Sequence, residues 1–394
     1  MPSKPIRGTN SPPIPLQVPR FCGNEWKYLK ECLDSNWVSS VGGFVDRFER
    51  AVADYLDARY AVATMNGTSA LHVALLAAGI EPDDEVLVST LTFIAPANAI
   101  RYVQAWPVFI DAEQDYWQMD PNRVAEFLVR DCVWRDGGLR DKGTGRRVRA
   151  ILPVHILGHP VDIDPILDLA AKYELTVIED AAESLGAKYK GRRPGNLASI
   201  GCVSFNGNKI VTTGGGGMVV TDSERIAHRA RYLTTQAKDD PIEYIHNEVG
   251  YNYRLSNLQA ALGCAQMERL EEHITAKRQL SAAYTEALRD VPGIMPVREA
   301  PWAFSTFWSY AIRIDPLEYG MDSRGLLQWL DFHGVQARPL WQPAHLSPAH
   351  AGAPVSGEAV SARLYREVVN LPSSVGLQEA ELHQVVDLIK AGRQ

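Results

Sequence analysis

Short apolar runs alternate with helical segments through the first two thirds of the chain. Tyr60–Thr64, Glu85–Ser89 and Thr176–Asp180 have the length of buried strands, and apolar residues between such runs recur at the spacing of one helix face. Strands that alternate with helices are typical of βαβ units, which assemble into mainly parallel sheets. The pattern therefore predicts an α/β domain with a largely parallel sheet.

The same pattern predicts the bounds of the elements and changes character near residue 291. Predicted strands cover 60–64, 85–89, 107–111, 149–155, 176–180, 203–205 and 218–221, and predicted helices cover 24–33, 44–55, 70–78, 121–129, 161–173, 223–232, 250–272 and 276–288. From Val291 onward, strand, helix, strand and helix follow one another, which suits a small α+β domain. We expect an N-terminal arm at 1–20, a large domain at 21–275, and a linking helix with a small C-terminal domain at 276–394.

Two segments lie outside this alternation. The arm at 1–20 is rich in proline, so we expect it to be extended and irregular. Residues 130–147 are charged and contain glycines, with Trp134 among them. We interpret this insert as a surface excursion near either a substrate or a partner subunit.

Composition narrows the classes of protein. The net charge of −7, without a dense basic stripe, argues against nucleic-acid binding. The five cysteines are scattered and lack CxxC pairs, which predicts a reduced cytoplasmic protein without a zinc site. The N-terminus lacks the apolar region of a signal peptide, and no run approaches the ~18 apolar residues of a membrane span. We therefore expect no membrane partner.

The stretch 176–221 carries the candidate chemistry. Asp180 ends a predicted buried strand, and Lys209 follows the short predicted strand at 203–205. An acid and a lysine on neighbouring strand ends suit a pyridoxal phosphate site, since that cofactor needs a Schiff-base lysine and a carboxylate facing its ring nitrogen. The alternative is an exposed lysine and an aspartate that caps a helix.

The turn at 65–69 and Phe93 each allow a cofactor-binding role or an ordinary structural role. The turn at 65–69 joins a predicted strand to a predicted helix, so Thr68 and Ser69 suit either phosphate binding or ordinary N-capping. Phe93 follows another strand and either stacks on a flat ring or belongs to the core. The glycine run 214–217 precedes a strand rather than a helix, which disfavours a dinucleotide fingerprint.

Together these motifs resemble those of the DegT/DnrJ-type sugar aminotransferases, a branch of the fold-type I pyridoxal phosphate enzymes. The resemblance covers most of residues 20–390. The motifs that carry it are Asn66–Leu71 (NGTSAL), Val177–Ser184 (VIEDAAES), Ser204–Lys209 (SFNGNK) and Gly250–Arg254 (GYNYR). It implies a large domain with a mainly parallel sheet and a small α+β C-terminal domain.

The resemblance also assigns roles to individual residues. It implies that Lys209 binds the cofactor covalently and that Asp180 pairs with the pyridine nitrogen. Glu183 would lie by the phenolic oxygen, where many relatives have Gln, and Phe93 would stack on the ring. The phosphate would be held by Thr68, Ser69 and Ser204, and by Asn252 of the neighbouring subunit, which implies a homodimer with shared active sites.

The implied reaction is transamination. L-glutamate would deliver its amino group first, and a keto sugar linked to a nucleotide would then accept it. Lys209 would move the proton as general base and acid. Certain family members have His at this position and remove a hydroxyl instead, so Lys209 favours transamination.

The finer assignment also rests on similarity. Residues 36–42 and 233–240 look most like the LegC and PglE group, which aminates C4 of UDP-linked 4-keto-6-deoxy-N-acetylhexosamines. His155, Arg338 and His345 would line the substrate side, although either histidine alone also suits a satisfied structural role. The alternatives are a GDP-4-keto-6-deoxymannose aminase, a non-catalytic relative that holds a pyridoxal ligand, and a dinucleotide-dependent sugar oxidoreductase.

Overall fold

The computed structural model describes residues 12–240 and 242–393. The first eleven residues of the predicted arm therefore lie outside the described part. The rest of the arm runs without a helix, and Ile14 forms a parallel bridge with Val335. The end of the arm is thus attached to the C-terminal part of the chain.

The described residues form thirteen α-helices and sixteen strands. The helices are α1 Glu25–Asp34, α2 Gly43–Tyr55, α3 Gly67–Ala77, α4 Ala95–Tyr102, α5 Pro121–Glu126, α6 Asp164–Lys172, α7 Glu224–Thr234, α8 Asn257–Met267, α9 Leu270–Leu288, α10 Pro316–Tyr319, α11 Ser323–Phe332, α12 Ala359–Glu367 and α13 Glu379–Ala391. The strands are β1 Tyr60–Thr64, β2 Glu85–Ser89, β3 Trp106–Ile110, β4 Cys132–Arg135, β5 Gly138–Asp141, β6 Val148–Leu152, β7 Thr176–Asp180, β8 Lys188–Tyr189, β9 Ile200–Ser204, β10 Gly217–Thr221, β11 Ile294–Pro296, β12 Ala303–Phe304, β13 Tyr310–Ile314, β14 Arg338–Pro339, β15 Val355–Ser356 and β16 Val368–Leu371.

The large sheet has eight strands in the order β1-β10-β9-β7-β6-β2-β3-β15. Strand β10 pairs antiparallel with both β1 and β9, while the remaining neighbours pair parallel. Seven described strands therefore point the same way, and the predicted mainly parallel sheet is confirmed. Their carboxyl ends meet at one edge, where open α/β sheets bind ligands.

The helices around the sheet bury one face each and pack closely against their neighbours, as α2 and α8 show. In α2, Phe48 and Val52 are fully buried on one face, as their helical spacing predicts. A Cβ at Gly263 of α8 would lie 2.6 Å from a ring atom of Phe48, so α2 and α8 approach closely only because residue 263 has no side chain. Burying one such phenylalanine stabilises the fold by about 1.5–3 kcal/mol.

The C-terminal part contains a four-stranded antiparallel sheet in the order β11-β13-β16-β14. This arrangement agrees with the expected α+β character. Strand β15 instead joins the edge of the large sheet beside β3. We propose that α9 links the two domains, although the boundary expected at 275 lies within this helix.

The helices predicted at 250–272 and 276–288 are wrong in their bounds. Residues 250–256 are not helical, because Ser256 caps α8 in a reciprocal capping box with Gln259. Helix α8 ends at Met267, residues 268–269 are not helical, and α9 begins at Leu270. The capping pair was present in the sequence and would have identified the start of α8.

The insert at 130–147 contains the hairpin β4–β5. Asp136 and Gly137 turn it with φ of +52° and +74°, the left-handed values that an Asp-Gly hairpin turn requires. Trp134 is exposed, so the predicted surface excursion agrees with the structure. The helix predicted at 121–129 ends earlier, because α5 changes to a π-helical turn at Phe127–Asp131.

Candidate active site

Three of the four sequence motifs, together with Phe93 and His155, lie at the carboxyl edge of the large sheet. Strands β7 and β9 end at Asp180 and Ser204, and they pair in register, with Asp180 opposite Cys202. The turn into α3 follows β1, His155 follows β6, and Phe93 follows β2. The topology therefore brings together residues that are up to 138 positions apart, from Asn66 to Ser204.

The start of α3 is a candidate anion-binding corner. The cap is Asn66, whose Oδ1 accepts a hydrogen bond from the Ser69 amide at 2.7 Å, so capping by Thr68 or Ser69 themselves is wrong. Neither hydroxyl bonds to another residue that the structure describes. Their position on the first turn of a helix, together with its dipole, suits a phosphate.

Ser204 completes this corner. A Cβ at Gly67 would lie 2.8 Å from the Ser204 Cβ, so the first turn of α3 is in direct contact with the end of β9. A Cβ at Gly217 would lie 2.4 Å from the carbonyl oxygen of Asn66. The glycine run therefore permits β10 to pack against the phosphate turn, and it serves backbone geometry.

Asp180 is a buried carboxyl at this edge. Burial raises its pKa to about 6, while the Ala182 amide, which donates to Oδ1 at 3.0 Å, and the charge of Lys209 lower it. The carboxyl is therefore still mostly ionised at pH 7. A buried anion of this kind suits a positively charged nitrogen partner.

Lys209 lies between a carboxylate and an aromatic ring. Its Nζ is 3.1 Å from Glu183 Oε1 and 4.1 Å from the centre of the Trp308 indole. The other oxygen of Glu183 accepts a hydrogen bond from the Leu157 amide at 2.9 Å, and Leu157 has the left-handed φ of +59°. Glu183 is thus fixed in place and holds the Lys209 amine.

Sequence reasoning missed Trp308. Its indole Nε1 donates to the Asn208 carbonyl at 2.8 Å, next to Lys209 in the chain. The separation of 100 positions leaves no periodic signal, so no local pattern identifies this contact.

His155 does not lie on the substrate side. It is completely buried, and its Nδ1 accepts a hydrogen bond from the Val161 amide at 2.9 Å. Nε2 therefore carries the proton and donates to Glu179 Oε2 at 3.0 Å. Both ring nitrogens are satisfied within the protein, as the alternative of a structural histidine describes.

Glu179 anchors this histidine. Oε1 accepts from the amides of Leu197 and Ala198 at 2.7 and 2.8 Å, and Oε2 accepts from the Gly195 amide at 2.9 Å. Every bond of this buried carboxylate is therefore internal. The pair Glu179–His155 supports the end of β7 that presents Asp180, because the His155 amide also donates to the Asp180 carbonyl at 3.0 Å.

The remaining predicted residues occupy different positions. Phe93 is 57% exposed, which contradicts a core role and leaves its ring face free for stacking. Arg338 is exposed and lines a cavity of about 360 Å³ that Trp308 and Asn208 also line. Asn208 precedes Lys209 in the chain, but Lys209 itself does not line this cavity. His345 contacts Thr90, with Nδ1 2.6 Å from Oγ1, and burial lowers its pKa.

Asn252 is exposed and lines a separate cavity of about 440 Å³ with Thr235, Lys238 and Arg254. Lys209 does not line this cavity. The structure of one chain therefore does not bring Asn252 to the site, and a role in a neighbouring subunit stays a prediction.

The residues present fit pyridoxal phosphate. The site offers a reactive amine at Lys209, an ionised acid at Asp180, an anion-binding corner at α3 and a free aromatic face at Phe93. These four features match the amine linkage, ring nitrogen, phosphate and flat ring of the cofactor.

Across residues 12–240 and 242–393, no group of three or more His, Cys, Asp and Glu side chains is arranged to hold a metal ion. Within that same part of the chain, every helix is too short or too polar to span a bilayer.

Comparisons with known proteins agree with this site. A family model described as the DegT/DnrJ/EryC1/StrS aminotransferase family matches residues 21–390. GDP-perosamine synthase of Caulobacter vibrioides is 38% identical over 95% of this chain and 97% of its own, and the Escherichia coli O157:H7 protein of the same name is 35% identical over 95% and 97%. The structure of Streptomyces venezuelae DesV with a ketimine intermediate is 31% identical, has a TM-score of 0.84, and matches over 94% of both chains. The chain therefore belongs to the DegT/DnrJ/EryC1/StrS aminotransferase family and is a pyridoxal phosphate-dependent sugar aminotransferase.

Proposed function

We propose that this enzyme transfers the amino group of L-glutamate to C4 of GDP-4-keto-6-deoxymannose. The observation that carries the choice of sugar is the similarity, over nearly the whole chain, to GDP-perosamine synthases from Caulobacter vibrioides and Escherichia coli O157:H7. These names favour the GDP-linked alternative over the UDP-linked N-acetylhexosamine that residues 36–42 and 233–240 suggested.

The exchange is balanced without an external oxidant or reductant. Glutamate loses its amino group and becomes 2-oxoglutarate, and the C4 ketone of the sugar becomes an amine. When bound, pyridoxal phosphate supplies the ring that withdraws electrons from the carbon that loses a proton.

The residues of the chain divide the work. Asp180 is ionised at neutral pH. Its carboxylate would bind the ring nitrogen of the cofactor when that nitrogen is protonated. Lys209 would hold and move a proton at Nζ, because its amine is the basic group at the centre of the site. Glu183 orients that amine through the 3.1 Å contact. Thr68, Ser69 and Ser204 bind the phosphate, and Phe93 stacks on the ring.

On the substrate side, we assign a role to Arg338 and a weaker one to His345. Arg338 lines a cavity together with Trp308, and its guanidinium can bind an anionic group of a nucleotide sugar or of glutamate there. His345 contacts the segment between β2 and Phe93, and acts there through Thr90.

The proposed active enzyme is a homodimer with shared sites. Exposure of Asn252, away from Lys209 of its own chain, supports its binding the phosphate in the neighbouring subunit. We place the enzyme in the cytoplasm. All five cysteines lie in the described part of the chain and are free, which suits a reducing compartment.

The test uses both sugars with the same enzyme preparation. We expect the protein loaded with pyridoxal phosphate to absorb visible light and to lose that band when glutamate is added. Mass spectrometry should then detect an amino sugar from the GDP-linked keto sugar. A Lys209→Ala variant is the control and should form neither product.

Two results would contradict the proposal. Amination of only the UDP-linked sugar would show that the substrate is the UDP-linked keto sugar and not the GDP-linked one. A band that glutamate leaves unchanged would favour the non-catalytic pyridoxal-binding alternative.

A further inference from the structure

Lys277 is a buried lysine with an unusual set of neighbours. It lies on α9 and is 3% exposed, and its Nζ donates to the carbonyl oxygen of Trp308 at 2.7 Å and to that of Ser373. Among the described residues, its hydrogen-bond partners are these two carbonyl oxygens, and no carboxylate pairs with its amine. Burying an unpaired ammonium is costly, so this lysine needs an explanation.

The hydrogen bonds of Lys277 match a neutral amine. A neutral amine has two N–H groups, and the structure provides two carbonyl acceptors. An ammonium would carry a third N–H donor, for which the described residues offer no acceptor. Burial lowers the pKa of Lys277 to about 7, which agrees with this count.

The Trp308 carbonyl is held from two directions. Besides Lys277, the side-chain amide of Gln17 donates to the same oxygen. At its other end, the Trp308 indole donates to the Asn208 carbonyl and lies 4.1 Å from the Lys209 amine. One residue therefore connects the buried lysine to the reactive one.

Neighbouring contacts make this connection rigid. The Ser373 hydroxyl accepts from the Tyr310 amide at 3.0 Å and donates to the Leu371 carbonyl at 2.7 Å. Lys277 thus joins α9 to the segment just before β13 and to the segment just after β16, where Trp308 approaches Lys209. Its loss would leave two buried carbonyls with fewer donors and release the 308 segment.

We propose that Lys277 is a positioning residue that acts through the Trp308 backbone to hold the indole against the Lys209 amine. The indole face binds the ammonium form of Lys209 by a cation–π contact and limits access to the amine. This inference concerns the reactive lysine and holds for any sugar substrate.

The test measures the reactivity of Lys209 in the full-length, cofactor-free protein. Acetic anhydride at low concentration labels lysines at pH 8, and peptide mass spectrometry gives the rate at each position. We expect Lys277→Met to raise the acetylation rate of Lys209 about two- to fivefold. This factor corresponds to the loss of one cation–π contact. Lys188, which lies 5.6 Å from the centre of the Phe304 ring, is the internal control and should keep its rate.

A double-mutant cycle separates positioning from general loosening. Trp308→Leu alone should also raise the Lys209 rate, and adding Lys277→Met to it should change nothing further. Gln17→Ala removes the other donor to the Trp308 carbonyl and should give a smaller change in the same direction. Lys277→Gln keeps two N–H donors and should restore part of the wild-type rate.

Several results would overturn the inference. An unchanged Lys209 rate in folded Lys277→Met protein would do so, as would an equal increase in the Trp308→Leu background. A parallel rise at Lys188 would show loosening of the whole chain. If Lys277→Met fails to fold, wild-type rates in both Gln17→Ala and Lys277→Gln would decide against the inference. No nucleotide sugar is used, so each of these failures leaves the proposed substrate untouched.

Discussion

Asp180 places an ionised carboxyl where the protein excludes water, and this has opposite effects on activity and stability. Its pKa is about 6 in the folded chain and near 3.8 when exposed. Between those values the folded state binds more protons than the unfolded state, so this residue's contribution to stability is lost as pH rises through 6. Above pH 6 the charged group lowers the free energy of unfolding.

We therefore expect Asp180→Asn to gain stability and lose activity. In cofactor-free protein, urea unfolding should show a gain of about 1–3 kcal/mol at pH 7.5 and a smaller gain at pH 5. In the loaded enzyme, the turnover rate should fall by about 100-fold or more, the size of losing one preorganised electrostatic partner. Asp290→Asn, whose side chain is 90% exposed, is the control. A less stable Asp180→Asn protein at pH 7.5 would contradict the argument.

Local chemistry was predictable from the sequence at Asp180 and Lys209, because each follows an apolar strand and lies at a known edge of the sheet. Trp308 and Lys277 were not predictable, since their roles depend on contacts with Lys209 and with two distant carbonyls. His155 shows the opposite problem. The family resemblance placed this histidine on the substrate side, but the sequence does not reveal that two internal partners already occupy its ring.

At the scale of elements, strand positions followed the apolar runs closely, whereas helix ends did not. Strands β1, β2 and β7 have the predicted bounds. Helix α3 begins three residues early because the side chain of Asn66 caps it, and α8 begins seven residues late because of Ser256. Helix ends depend on single side chains, so an average over a window of residues misses them.

The first turn of α3 gives a matched pair of glycine substitutions. Gly67 and Gly43 each begin a helix, but a Cβ at Gly67 would lie 2.8 Å from Ser204, and a Cβ at Gly43 would meet nothing within 4 Å. We expect Gly67→Ala to lose about 1–3 kcal/mol of stability through overpacking. It should also weaken pyridoxal phosphate binding, because the helix start moves away from Ser204.

Gly43→Ala should have unchanged or slightly higher stability, since alanine is the better helix former. Thermal unfolding of the cofactor-free variants and an absorbance titration with pyridoxal phosphate measure both effects. Equal behaviour of the two variants would show that contact between α3 and β9 does not shape the phosphate site.

At the scale of the whole molecule, the proposed sharing of Asn252 predicts complementation. Asn252→Asp should repel the cofactor phosphate, and Lys209→Ala removes the reactive amine. In a mixed dimer, one site combines an intact Lys209 with an intact Asn252 from the neighbour. Exchanging subunits between the two inactive proteins should therefore restore about a quarter of wild-type activity, because half of the dimers are mixed and one of their two sites is complete.

Each variant alone, taken through the same exchange procedure, is the control for this experiment. Activity that stays absent after verified subunit exchange would mean that Asn252 serves its own chain. The fold itself was predictable at this scale from the alternation of strands and helices, but the pairing of β15 with the large sheet was not, because its two residues carry no pattern.

The reversed direction of β10 places Lys209 in a loop that begins and ends at one edge of the large sheet. Ser204 and Gly217 are register partners, and the twelve residues between them leave and re-enter the sheet at the same edge. The Phe205 amide, which donates to the Gly216 carbonyl at 2.8 Å, closes that loop at its base. The same loop supplies Phe205, Ile210 and Val211 to the buried core, and the Phe205 ring lies 4.7 Å from that of Phe48. The segment that carries Lys209 is therefore also part of the packing that supports the sheet, so the position of the amine is fixed by the folding of the core itself.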